Sequence, residues 1–208
     1  MTQLNTPPQL ELWLLRHGIT EWARDGRHTG RTDLPLLQEG EAQARALAPG
    51  LASQRFAAVL VSPLQRARRT AELAGLGEGA QICPDLQEWD YGRYEGITTA
   101  AIREQVPGWT VWSHGCPEGE SCPQVEERCQ RVIALAESLA ESLAESAAPA
   151  VALVAHGHIL RSLAGTWLGL GAAGGALLNL NTATISVLGH ERERCTVVRW
   201  NAPVVPAA

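Results

Sequence analysis

Short apolar runs alternate with amphipathic stretches along this chain. Leu12 to Leu15, Phe56 to Val61 and Val151 to Ala155 contain only apolar residues, which is typical of strands buried on both faces of a parallel sheet. Further strands are predicted at Thr184 to Leu188 and Cys195 to Trp200, and helices at Glu39 to Ala48, Leu64 to Ala74, Thr99 to Gln105, Ser121 to Ser146 and Ile159 to Leu168. The alternation predicts a three-layer α/β/α fold around a mostly parallel sheet.

Local signals refine this prediction. Ser62 followed by Pro63 predicts a helix start with serine as the N-cap, and Ser121 with Gln124 predicts a capping box. Leu139 and Leu143 share one face of a four-residue repeat, which predicts an amphipathic helix on the outside of the fold. Residues 83–120 are rich in aromatic residues, glycine and proline, and predict a loop or small cap over the functional crevice.

Two histidines follow predicted strands directly. Arg16-His17-Gly18 comes after the first apolar run, and His156-Gly157-His158 comes after Val151 to Ala155. Ligands of open α/β sheets bind outside the carboxyl ends of the strands, so both histidines are expected to face one crevice. Histidine acts there as a nucleophile or a general acid or base, and Arg16 favours an anionic substrate such as a phosphate. The alternative for each histidine is a core position bonded to backbone.

Length, composition and charge set limits on the function. A chain of 208 residues with 45% hydrophobic content buries a full core, and residues 1–208 are expected to form a single domain. The net charge of -5 argues against a general nucleic-acid or membrane-surface binder. The polar start of the chain and the absence of a long apolar stretch predict a cytoplasmic protein.

Cysteine usage points away from disulfides and metals. The five cysteines form no C-x-x-C pair, and an odd number fits reduced thiols. His114, Cys116 and Cys122 match no zinc spacing, and His156 and His158 lack an accompanying acidic cluster. No metal and no cofactor are therefore expected.

Several further motifs occur in a fixed order and strengthen the His-Gly signals. They are Gly30-Arg31-Thr32-Asp33, Ser62-Pro63-Leu64-Gln65-Arg66-Ala67, Glu88 with Gly92, Glu95-Gly96 and His156-Gly157. Together with Arg16-His17-Gly18, this series resembles the histidine phosphatase superfamily, also called phosphoglycerate-mutase-like, over nearly the whole chain. The stretches around His28, Glu88, Trp109 and His156 look most similar to sugar phosphatases of the sedoheptulose-1,7-bisphosphatase type.

The resemblance implies a role for each matching residue. His17 would be the nucleophile that forms a phosphohistidine, and Arg16, Arg66 and His156 would surround the phosphoryl oxygens. Glu88 would protonate the leaving alkoxide and then act as the base for water. Residues expected to contact the remainder of a small phosphorylated sugar are His28, Thr29, Trp89, Tyr91 and Arg161.

Other interpretations stay open beside these roles. Arg161 is alternatively an exposed helix residue paired with a carboxylate, and Glu95 is expected to fix a loop. Many relatives carry Asn after the Trp of the R-H-G-x-x-x-W stretch, whereas Ala23 follows Trp22 here. The missing amide disfavours phosphoglycerate mutase activity. The alternatives to a phosphatase are a mutase-type phosphotransferase and a catalytically silent binding domain.

Overall fold

The computed structural model describes residues 9–141 and 149–203. The strands are β1 (Glu11–Arg16), β2 (Ala58–Val61), β3 (Gln81–Ile82), β4 (Ala150–Ala155), β5 (Thr184–Glu191) and β6 (Arg194–Pro203). The helices are α1 (Glu21–Asp25), α2 (Gln38–Leu51), α3 (Gln65–Leu73), α4 (Thr99–Gln105), α5 (Val111–His114), α6 (Cys122–Glu141) and α7 (Gly157–Trp167).

The strands form one mixed sheet. Within the described ranges it has six strands in the order β3-β2-β4-β1-β5-β6. β3, β2, β4 and β1 pair in parallel, whereas β5 and β6 are antiparallel to their neighbours. The predicted α/β fold with a mostly parallel sheet is therefore confirmed. The expected strands near the carboxyl end form a hairpin at one edge of that sheet.

Helices cover both faces of the sheet, as the apolar runs predict. Alternate residues of β1 point to opposite sides, so that Leu12 and Leu14 join one buried cluster while Trp13 and Leu15 join the other. The first cluster includes residues of α6 and α7, and the second includes residues of α2 and α3. The central strands are therefore packed on both faces, and this packing holds their ends in fixed positions.

One local prediction needs correction, and one short strand has no counterpart among the predicted elements. Ser62 is not the N-cap of α3: the helix begins at Gln65 with Leu64 in the cap position, and the Ser62 hydroxyl instead contacts His156 at 2.7 Å. The two-residue strand β3 has an exposed Gln and Ile, so no apolar run announces it. One half of the capping box is confirmed, because the backbone N–H of Ser121 donates to the Gln124 side chain at 2.9 Å; the Ser121 hydroxyl donates to the same side-chain oxygen at 2.8 Å. Leu143 and the end of the predicted Ser121 to Ser146 helix lie outside the described residues.

The segment predicted as a loop or cap contains short elements. α4 and α5 lie within residues 83–120, together with 3-10 turns at Pro84–Leu86 and Gly92–Tyr94. None of the helices described is long and apolar enough to cross a membrane. The described residues also hold no group of three or more His, Cys, Asp or Glu side chains arranged as metal ligands.

Candidate active site

The ends of three adjacent parallel strands bring the predicted histidines together. Arg16 is the last residue of β1 and is in register with Ala155 at the end of β4. The backbone N–H of His17 donates to the Ala155 carbonyl, and that of Ser62, which follows β2, donates to the Val154 carbonyl, both at 3.0 Å. The strand register therefore places the residues after β1, β4 and β2 side by side.

His17 is buried and has a defined tautomer. Its Nδ1 lies 2.7 Å from the carbonyl oxygen of Gly18, which only accepts, so Nδ1 carries the proton and Nε2 keeps its lone pair. Burial, followed by the positive charges of Arg66 and Arg16, lowers the pKa of His17 well below its usual 6.5. The imidazole is therefore neutral at neutral pH and is a potential nucleophile through Nε2.

His156 and Arg66 form a buried pair next to His17. The Arg66 Nε–H donates to His156 Nδ1 at 3.1 Å, so the His156 proton is on Nε2, which faces the Ser62 hydroxyl. The ring centroids of His17 and His156 are 5.1 Å apart. The terminal nitrogens of Arg66 donate to the carbonyls of Thr29, Gly30 and Thr32. Arg66 thus fixes the loop after α1 as well as His156.

Glu88 lines the same cavity and is held there by backbone N–H groups. It is buried, with a relative exposure of 5%, and its carboxylate accepts hydrogen bonds from the backbone N–H groups of Trp89, His158 and Ile159, each at 2.9 Å. The last two N–H groups belong to the first turn of α7, where helices attract negative charge. The start of α7 therefore holds the Glu88 carboxylate in place.

A cavity of about 180 Å³ opens between these elements. Its lining includes Arg16, His17 and Glu88 together with four of the five expected substrate contacts, namely His28, Thr29, Tyr91 and Arg161. Arg16 donates through one terminal nitrogen to the Leu180 carbonyl, while its buried Nε has no partner in the described residues. The chain is acidic overall, yet the cavity is bordered by guanidinium groups and by the N-terminus of α7.

His28, Tyr91 and His158 form an aromatic wall of the cavity. The Tyr91 hydroxyl lies 2.6 Å from His158 Nδ1, and the His28 ring centroid lies 4.7 Å from that of Tyr91. Burial raises the pKa of Tyr91 well above 10 and lowers the pKa of His28 to about 4. Burial, followed by the charge of Arg161, lowers the pKa of His158 well below 6.5. The wall is therefore uncharged at neutral pH.

Arg161 lies at the far end of this wall. It is half-buried, its Nε donates to the Gly175 carbonyl at 3.0 Å, and its guanidinium lies 4.9 Å from the centre of the Trp112 ring. Within the described part of the chain, the guanidinium of Arg161 thus contacts the Gly175 carbonyl and the Trp112 indole, and no carboxylate lies within ion-pair distance of it. The structure therefore does not match the alternative of an exposed residue paired with a carboxylate.

A profile of the histidine phosphatase superfamily, branch 1, matches residues 12–203. This chain belongs to the histidine phosphatase superfamily. The family predicted from the sequence is confirmed, and with it the expectation of a phosphatase. An acid phosphatase of Mycobacterium tuberculosis is 42% identical over 86% of this chain and 86% of its own length. The sedoheptulose 1,7-bisphosphatase of Saccharomyces cerevisiae is 35% identical over 76% of this chain and 67% of its own length.

Comparisons with solved structures agree with this assignment. The product of an open reading frame of Mycobacterium tuberculosis, solved at 2.2 Å, superimposes with a TM-score of 0.85 and 38% identity over 94% of this chain and 98% of its own. Another relative in the superfamily, a probable phosphoglycerate mutase of Cronobacter sakazakii, is 30% identical over 92% of this chain and 90% of its own length.

Three residues singled out from the sequence take different positions relative to the cavity. The Trp89 side chain is fully buried, its indole N–H donates to the Glu120 carbonyl, and it lies outside the cavity lining, behind Glu88. Ala23 lines the cavity, so the side chain after Trp22 presents a methyl group there. Glu95 accepts hydrogen bonds from the backbone of Gly30 and Thr32, as expected of a residue that fixes a loop.

Two site residues were not identified as such from the sequence. Ser62 supports His156, although its position before Pro63 suggested a helix cap. From the sequence, His158 is considered only as a metal-ligand partner of His156, but in the structure it lines the cavity and contacts Tyr91. The available signal for His158 was its position in the first turn of a helix that follows a strand end, where side chains face the ligand crevice.

Proposed function

We propose that this enzyme hydrolyses phosphomonoesters of small metabolites through a phosphohistidine on His17, without a metal or another cofactor. The observation that carries the proposal is the orientation of His17. Its Nδ1–H is held by the Gly18 carbonyl, its Nε2 is unprotonated, and it borders a cavity next to Arg16. A neutral imidazole fixed in this way is prepared to attack phosphorus.

The proposed reaction has two steps. In the first, Nε2 of His17 bonds to phosphorus, the ester P–O bond breaks, and the Glu88 carboxyl group gives a proton to the leaving oxygen. In the second, the oxygen of a water molecule bonds to phosphorus, the P–Nε2 bond breaks, and Glu88 takes a proton from that water, so that inorganic phosphate and neutral His17 are released. Nucleophile, acid and base all come from the chain itself.

Positive groups around His17 suit the transferred phosphoryl group. Arg16 offers its unpartnered Nε–H, Arg66 lies behind His156, and the α7 N-terminus adds partial positive charge. A loose phosphoryl transition state spreads negative charge over its oxygens, so guanidinium groups and helix N–H groups stabilise it. His156, neutral and bonded to Ser62, is proposed to orient the same oxygens.

For the substrate, we propose a phosphorylated sugar, with a bisphosphate preferred. The uncharged wall of His28, Tyr91 and His158 offers rings and polar edges to a polyol, and Arg161 offers a cation for a second anionic group. Thr29 lines the opposite edge of the cavity, whereas buried Trp89 is proposed to support Glu88. The relative named sedoheptulose 1,7-bisphosphatase supports this choice.

Phosphate release from a panel of phosphorylated metabolites tests the proposal. The panel contains sedoheptulose 1,7-bisphosphate, its monophosphate counterparts, nucleotides and a phosphopeptide, with a phosphoglycerate mutase assay alongside. We expect hydrolysis of sugar phosphates, unchanged by a chelator, and Arg161→Ala should lower kcat/KM for the bisphosphate about tenfold or more while sparing the monophosphate. Mutase turnover without phosphate release, or no turnover of any compound, would contradict the proposal.

A further inference from the structure

A buried ion pair lies beneath the segment that carries Glu88. Arg128 of α6 donates from Nε and Nη2 to the two carboxylate oxygens of Glu120, each at 2.7 Å. The two side chains are only 11% and 15% exposed. This is the bidentate arrangement in which a guanidinium fixes a carboxylate in both distance and angle.

Arg128 also holds the chain immediately before Glu88. Its Nη1 donates to the carbonyl of Asp85 at 2.7 Å and to the carbonyl of Gln87 at 2.8 Å. The guanidinium thus bridges α6 and the Glu88 segment while it is paired with Glu120.

Glu120 holds the chain immediately after Glu88. Its carboxylate accepts from the backbone N–H of Asp90 at 2.9 Å, and its carbonyl accepts from the Trp89 indole N–H at 2.9 Å. Its own N–H donates to the Asp90 carbonyl at 2.9 Å. Contacts from the pair therefore reach the chain on both sides of Glu88.

The side chain of Arg128 lies on the face of α6 that packs against the core, and not on its solvent-exposed face. Val125 and Val132, three residues before and four residues after it, are fully buried, so Arg128 is on the core-facing side of the helix. Removing two charges from water is unfavourable before their attraction is counted, and an apolar pair at such a place is often as stable. The pair is thus better explained by the geometry it imposes than by the stability it adds.

We propose that Arg128 and Glu120 are positioning residues that hold the Glu88 carboxyl against the leaving-group side of the cavity. This inference rests on the proposed function, because it needs Glu88 to be the proton donor. A carboxyl displaced by about 1 Å loses much of its ability to transfer a proton in the transition state. The pair acts through Glu88 and does not contact the substrate.

The test compares leaving groups in kcat/KM, which reports phosphoryl transfer to the enzyme. The substrates are the sugar phosphate turned over fastest in the panel and 4-nitrophenyl phosphate, whose leaving group needs little protonation. Arg128→Met should lower kcat/KM for the sugar phosphate about 30-fold to 100-fold and that for 4-nitrophenyl phosphate less than threefold. Glu120→Gln, which removes one charge but keeps the shape, should show the same selectivity.

Arg131→Met is the matched control. Arg131 is on the same helix and binds the Asp85 carboxylate at 2.7 and 2.9 Å, but its side chain is 55% exposed and it does not contact the backbone beside Glu88. Its replacement should leave kcat/KM for both substrates unchanged. Adding Arg128→Met to Glu88→Gln should cause no further selective loss on the sugar phosphate.

The possible results separate this inference from the proposed function. If Glu88→Gln slows both substrates equally, Glu88 is not the proton donor and both proposals on this residue fail. A second possible result is that Glu88→Gln slows the sugar phosphate much more than 4-nitrophenyl phosphate, while Arg128→Met and Glu120→Gln slow both substrates equally or leave both unchanged. In that case only the positioning role is wrong. Selective losses in Arg128→Met and Glu120→Gln that disappear in the Glu88→Gln background support it.

Discussion

Acidification should destabilise this protein through its buried imidazoles, and His28 allows the size of the effect to be worked out. His28 is only 9% exposed, its Nε2 lies 3.2 Å from the Thr99 hydroxyl, and its ring lies against Tyr91 and Trp109. Burial lowers its pKa from 6.5 to about 4. The unfolded chain therefore binds a proton between pH 6.5 and 4 that the folded chain does not bind.

The sign and magnitude follow from this difference. Because the pKa is lower in the folded state, the stability is fully present above pH 6.5 and is lost as the pH falls towards 4. The contribution of His28 is a slope of about 1.2 kcal/mol per pH unit near pH 5, and a loss of about 2.4 kcal/mol between pH 7 and pH 4.5. His17, His156 and His158 have pKa values lowered in the same direction and add to the total loss.

Urea unfolding of wild type and His28→Gln at intervals from pH 7 to 4.5 isolates the His28 contribution. Glutamine keeps a polar group near Thr99 but does not titrate, so the free energy of unfolding of the variant should fall less steeply with decreasing pH. Thr99→Val, which removes the hydroxyl beside His28 but keeps the buried imidazole, is the control and should keep the steep fall of wild type. Parallel curves for wild type and His28→Gln would show that His28 is protonated alike in both states and would refute the reasoning.

Three further predictions concern the site. In ¹⁵N NMR of the free enzyme at pH 6, the His17 signals should show a proton on Nδ1 alone, because burial and the neighbouring arginines lower its pKa; a doubly protonated ring would contradict this. Tyr91→Phe removes the 2.6 Å contact to His158 and should raise KM for the preferred sugar phosphate about tenfold; an unchanged KM would count against the aromatic wall as a binding surface. Gly18→Ala places a Cβ 2.2 Å from the Gly40 carbonyl oxygen and should lower the free energy of unfolding by about 1–3 kcal/mol in urea titrations; wild-type stability would show that the loop after β1 yields without cost.

The sequence pattern was sufficient to predict the central part of the fold. The apolar runs around Leu14, Leu60 and Leu153 became β1, β2 and β4, because strands covered on both faces have no polar side to show. The sequence pattern predicts the two strands β5 and β6, but it does not predict that they pair with each other as an antiparallel hairpin. Its turn has Arg192 at a φ of 55° and no glycine, so the usual signal of a two-residue turn is missing.

The position of a site residue is predictable from the sequence where its side chain lies at a strand end, but not where long-range contacts place it. Arg16 ends β1, His17 and His156 directly follow β1 and β4, and their proximity follows from the sheet alone. The hydrogen bonds from the first turn of α7 to Glu88, and the link from Arg128 to the same segment, join residues far apart in the chain. The sequence does carry one signal for this link: Arg128 lies at a helical position whose neighbours on the same face, Val125 and Val132, are apolar.

The most direct test of the central claim is to trap the enzyme intermediate. A radiolabelled phosphate ester of the preferred sugar is mixed with enzyme and quenched within milliseconds, and the protein is tested for bound label that is lost in acid and retained in base. The account predicts a phosphohistidine in wild type at His17, located by peptide mapping, and none in His17→Ala. Label that persists in His17→Ala, or turnover by wild type with no labelled protein at any time, would contradict the assignment of His17 as the nucleophile.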